Sequence, residues 1–128
     1  MGEVVTASMF LINKHPAIVL FDFGASHSFM SQAFASKYDQ KIIEVNKGGY
    51  SISSGGATIS TNQIVRDVLI SIQERECTMD LIVLPRLAID VILGMRWMSD
   101  HGVLIDTSTR TIMLREPKGS NDFLVPLP

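Results

Sequence analysis

The residues best suited to chemistry are Asp22 and the segment that follows it, Phe23-Gly24-Ala25-Ser26. Asp22 comes directly after the apolar run Ala17-Ile18-Val19-Leu20-Phe21. A lone carboxylate carried into apolar surroundings costs several kcal/mol unless something pairs with it. Gly24 lets the chain turn sharply, and its N–H can approach the Asp22 carboxylate. Taken alone, an Asp-x-Gly triplet also fits an ordinary Asx-turn at a strand end. A second segment, Asp90-Val91-Ile92-Leu93-Gly94-Met95-Arg96-Trp97, is another apolar run closing on glycine; by itself it reads as core.

Other chemistries fit less well. Asp22-Phe23-Gly24 spells the metal-binding triplet of protein kinases, but the chain lacks the glycine-rich loop with its lysine and the His-Arg-Asp loop. Ser26 and Ser28 lie near His27, yet there is no Gly-x-Ser-x-Gly elbow. His15, His27 and His101 are scattered, so neither a metal nor a cofactor is expected.

The elements that must position Asp22 are short and strand-like. Residues 4–12 read as a strand, Asn13-Lys14-His15-Pro16 as a turn, and 17–21 as a strand buried on both faces. Residues 28–38 have helix-compatible spacing, with Phe29, Ala33 and Phe34 on one side and Ser28 as a cap. A strand over 41–45 precedes a Gly/Ser/Thr-rich stretch, 46–62, that reads as a long mobile hairpin. Val65, Val68, Ile70 and Ile72 mark a strand whose phase slips near Asp67 through a bulge. Further strands are expected over 77–84 and 89–94, then a short helix over 95–101 ended by Gly102. Residues 103–105 and 111–114 flank a final hairpin. Met30, Met79, Met95, Met98 and Met113 read as core filler. The sum is about seven or eight short strands and one or two short helices, a mainly β chain folded as a small barrel or folded sheet.

Bulk properties agree. The 128 residues suffice for one domain, with 46% hydrophobic and 19% charged residues. Residues 1–115 form the expected domain and 116–128 a loose C-terminal linker. The net charge of −2 and the scattered basic residues argue against direct nucleic-acid binding. No apolar run approaches the ~20 residues of a membrane span, and the start lacks the basic region of a signal peptide. Gly2 with Thr6 formally meets the short pattern for N-myristoylation. The single Cys77 permits no internal disulfide and agrees with a reducing compartment.

Four separated blocks, in order, resemble the protease domain of gypsy-type LTR retrotransposons, a branch of the retropepsins, with plant elements especially similar. They are Val19-Leu20-Phe21-Asp22-x-Gly24-Ala25-Ser26-His27-Ser28-Phe29, Asp80-Leu81-Ile82-Val83-Leu84, Asp90-Val91-Ile92-Leu93-Gly94-Met95-x-Trp97 and His101-Gly102-Val103-Leu104-Ile105-Asp106. The resemblance covers about residues 4–115. It implies a closed β-barrel of the acid-protease type, working as a homodimer with one catalytic aspartate, Asp22, per subunit. Phe23, Gly24, Ala25 and Ser26 would form the active-site loop. Tyr50, Ser51, Ile52, Ser53, Ser54, Gly55 and Gly56 would form the flap that closes over a peptide substrate. Gly94 would sit behind the loop, with Ile92 and Leu93 packing the barrel.

The implied chemistry is that long established for this class of enzyme. Two aspartates about 3 Å apart cannot both ionise, so they share a proton. One acts as general base on water while the other polarises the scissile carbonyl. The implied substrate is an extended peptide within a Gag-Pol polyprotein, in the cytoplasm and inside virus-like particles, and the chain ends read as boundaries within that polyprotein.

Two positions depart from the family pattern. Phe23 stands where Ser or Thr is usual, and its ring cannot make the hydroxyl's bond to the partner's loop. Arg96 stands where related elements carry Asp. Both favour a rival reading, a catalytically inactive dimerisation or peptide-binding module of the same fold.

Overall fold

The computed structural model describes residues 5–22, 24–45, 49–54, 57–72, 75–100, 104–106, 111–115 and 122–126. Twelve strands and two helices occur among these residues. β1 (Val5–Ile12) and β2 (His15–Asp22) form an antiparallel hairpin about Asn13 and Lys14, both at positive φ. β3 (Phe29–Ser31), α1 (Gln32–Lys37) and β4 (Ile42–Glu44) follow. Next come β5 (Tyr50–Ser54), β6 (Ala57–Thr61), β7 (Gln63–Ile72), β8 (Arg75–Leu84), β9 (Val91–Leu93) and α2 (Met95–Asp100). β10 (Leu104–Asp106), β11 (Thr111–Arg115) and β12 (Asp122–Pro126) make a separate three-stranded sheet.

The main sheet runs β1-β2-β9-β3-β8-β7-β4, and it closes on itself because Leu11 and Ile12 of β1 also pair with Ser71 and Ile70 of β7. Six strands thus form a closed barrel, leaving no free edge among them. Its interior is aliphatic and aromatic, with Ile12, Val19, Phe21, Met30, Ile70, Leu81 and Leu93 fully buried. Two pairings matter most for the site. β2 lies parallel to β9 with Val19 opposite Val91, and β3 lies between β9 and β8.

Several local expectations need correcting. β2 is not buried on both faces: Ala17, Val19 and Phe21 are buried while Ile18 is 41% exposed, the alternation of a strand in a barrel wall. The helix begins at Gln32 rather than Ser28, because Phe29 and Met30 are claimed as a strand by β8 and β9. Ser31 is its N-cap, accepting from the Phe34 N–H at 3.0 Å. Its buried face is therefore Phe34 and Ala35, with Ala33 exposed. Met95, expected as core filler, is 45% exposed at the start of α2, whereas Met30 and Met98 are buried. Within the segment read as a loose linker, Phe123-Leu124-Val125 lies in a strand, β12, paired along all of β11. The slip near Asp67 is a bulge: the β7–β8 register shifts between Val65 and Val68, and Asp67 takes φ 53°. No described helix is long and apolar enough to cross a membrane.

Candidate functional site

The inward alternation of β2 buries Phe21 completely, and its ring meets those of Phe10 (5.7 Å) and Trp97 (5.9 Å). Asp22, the next residue, is the last of the strand and is half-buried. The Gly24 N–H donates to Asp22 Oδ1 at 2.8 Å, and the Ala25 N–H donates to the Asp22 carbonyl at 3.2 Å. The turn chemistry expected of Asp22-x-Gly24 is thus present, and it fixes the carboxylate against its own loop.

That loop is held from behind by the β9–α2 junction. Gly94 N–H donates to Ser28 Oγ at 3.0 Å, and Met95 N–H donates to the Ala25 carbonyl at 2.7 Å. Contact is so close that a Cβ on Gly94 would lie 2.2 Å from the His27 carbonyl oxygen and 2.6 Å from that of Ala25. Gly94 does sit behind the loop, and only glycine leaves room for that approach. Ser28 is buried, and its carbonyl also accepts from Ile82 N–H at 3.1 Å, so one residue joins the loop to both β8 and β9. The sequence reading offered Ser28 as a helix cap; the structure makes it the loop's buttress.

At the opposite end of β9, Asp90 adds a side-chain rung to the ladder. Its Oδ2 accepts from Ile18 N–H at 2.8 Å, one residue before the β2–β9 pairing starts, and its carbonyl accepts from Ser31 N–H at 2.9 Å.

The hairpin β5–β6 stands over this floor. It is registered from Tyr50 opposite Thr61 to Ser54 opposite Ala57. Its base is tied to the barrel by Thr61 Oγ1, which donates to the Val83 carbonyl at 3.0 Å, and by the Tyr50 ring 5.8 Å from that of His27. Ser51, Ile52 and Ile59 of the hairpin line a cavity of about 470 Å³ together with Asp22, Gly24, Ala25 and Ser26. The structure therefore brings together Asp22, the following loop and the hairpin. Phe23, Gly55 and Gly56 lie outside the described residues, as do Gly102 and the turn at 107–110; Ser53 and Ser54 are described by their backbone alone.

Several cavity residues went unrecognised in the sequence. Leu84, Arg86 and Leu87 reach the cavity from the end of β8, and Ile92, expected as barrel packing, lines it half-buried while Leu93 is core. A charged residue straight after an apolar strand and Pro85 was the available signal. Arg96 is exposed on α2 beside a second cavity of about 380 Å³ that Asp80 and Asp100 also line, and it makes no ion pair among the described residues. No described cluster of His, Cys, Asp and Glu could hold a metal.

Cys77, half-buried on β8, packs against the core beside Trp97. Burial pushes its thiol above the ordinary value, partly opposed by a hydrogen bond from the Trp97 side chain.

Among solved structures, the chain is similar to the retroviral protease-like domain of Ddi1 from Leishmania major. The two share 18% identity and a TM-score of 0.71, over 98% of this chain and 94% of that one. It is similar to EIAV protease complexed with the inhibitor HBY-793, at 23% identity and TM-score 0.64, over 80% of this chain and 93% of that one. A retropepsin-like aspartic protease from Rickettsia conorii gives 19% identity and TM-score 0.61, over 97% and 92%. These likenesses show a retropepsin fold. No curated protein matches the chain. The family model described as retroviral aspartyl protease matches residues 1–120, nearly the whole length. The chain accordingly belongs to the retroviral aspartyl protease family.

Proposed function

We propose that the chain is one subunit of a homodimeric aspartic endopeptidase that cleaves extended peptides within a retrotransposon Gag-Pol polyprotein of gypsy type. The carrying observation is that Asp22 is the one carboxylate among the described residues lining a cavity roofed by a hairpin. General acid and general base work on one water needs two carboxyls, and a two-fold axis beside Asp22 supplies the second. One carboxylate then takes the proton from water as the other, protonated, polarises the scissile carbonyl. Tyr50–Ser54 and Ala57–Thr61 act as the flap, closing over the peptide and excluding bulk water. The polyprotein context puts the activity in the cytoplasm and in virus-like particles.

The rival reading, an inactive dimerisation or peptide-binding module, draws on Phe23 in the place of Ser or Thr. The deciding assay offers the purified protein a mixed peptide library at mildly acidic pH, with and without pepstatin, beside Asp22→Asn and Phe23→Ser. Cleavage abolished by both pepstatin and Asp22→Asn is the expected result. A silent parent with an active Phe23→Ser would mean a disabled site on an intact fold. Silence from both, in folded protein, would leave the binding module standing.

A further inference from the structure

The cavity above Asp22 has two chemistries on its walls. Phe29, Ile52, Ile59, Leu84, Leu87 and Ile92 give it apolar walls beside the polar Asp22, Ser26, His27 and Ser51, and Arg86 adds a permanent positive charge. Arg86 is the one lysine or arginine among the described lining residues. It is exposed, and it has no ion pair, hydrogen bond or ring contact within the described chain. Its backbone is anchored from behind: Leu84 ends β8 buried at 5% exposure, and Pro85 restricts the chain just before Arg86. Its guanidinium offers a planar fork of donors that matches a carboxylate, with no competitor among the described residues. Asp22 repels a second acid close to it, so the fitting carboxylate belongs to a side chain away from the scissile bond.

We infer that this cleft selects extended peptides in which bulky apolar side chains fill the cavity and a flanking Glu or Asp engages Arg86. The inference rests on the cleft being the peptide site proposed above, though not on cleavage. In a two-fold dimer the site holds two copies of Arg86, so acids are favoured on both sides of the scissile bond.

The test is binding by calorimetry to peptides with a central, uncleavable statine and apolar neighbours, in which one Glu or one Gln is walked along the flanks. The proteins are the parent, Arg86→Ala and Arg86→Glu. At one or two positions on each flank the Glu peptide should bind about five-fold tighter than its Gln twin, as befits an exposed pair. The preference should vanish in Arg86→Ala and in about 1 M salt, and should turn toward Lys in Arg86→Glu. Equal binding of Glu and Gln at every position would overturn the inference, as would a preference that survives Arg86→Ala, or no peptide binding by folded parent. Glu-selective binding without cleavage of scissile counterparts would defeat the protease reading and leave this one standing. Cleavage indifferent to Glu would do the reverse.

Discussion

An alanine at position 94 would meet two backbone carbonyls, neither of which can swing aside as a side chain can. Gly94→Ala should therefore destabilise the fold by about 3 kcal/mol, read as a lowered urea midpoint with unchanged slope. Ser28→Ala removes the acceptor of a buried N–H, which costs about 1–3 kcal/mol in the same measurement. Asp22→Asn should behave differently. The amide oxygen still accepts from Gly24 N–H, so stability should stay within about 0.5 kcal/mol while any peptide cleavage disappears. At this scale the sequence was partly legible. Asp22 and Gly24 stand side by side and announce their contact, but Ser28 and Gly94 are 66 residues apart and nothing local joins them.

Elements follow the same division. The bulge in β7 was readable because an apolar alternation loses phase at Asp67, where the backbone indeed turns left-handed. Asp67→Gly should be neutral or stabilising there. Asp67→Val should cost about 1–2 kcal/mol in thermal or urea unfolding, since a branched side chain resists positive φ. β3 was not readable. Phe29-Met30-Ser31 has the composition of a helix start, and only its pairing with Ile82, Val83 and Leu84 on one side and with Val91 and Ile92 on the other makes it a strand. β12 was missed for a similar reason, because Pro and Gly on its N-terminal side obscured the apolar core of the segment. The hairpin β5–β6 was legible as a hairpin from its Gly and Ser content, as was the Asp22 loop it faces, whereas Leu84, Arg86, Leu87 and Ile92 across the cavity were not, being supplied by β8, β9 and the segment between them.

For the whole molecule, the half-buried Cys77 thiol links stability to pH. Its value is raised in the folded state, so its contribution is complete below the unfolded cysteine value of about 8.5 and is lost as pH rises through the folded value. The parent should lose stability faster than Cys77→Ala as pH climbs above about 8.5, as compared by urea titration at each pH. Dilution is the other whole-molecule probe. If the site is shared between two copies, specific activity should fall as protein concentration drops below the dimer dissociation constant, with the fold retained by circular dichroism.

The parallel pairing of Val19 with Val91 has a consequence in time. On the ribosome, Asp22 emerges long before the glycine that backs its loop, and at about 5–20 residues per second the wait for Gly94 lasts several seconds. Until then β2 has neither β9 beside it nor the Ser28–Gly94 bond behind its loop, and so much non-local pairing makes the remaining search slow. The loop that follows Asp22 is thus braced only when most of the barrel has been synthesised.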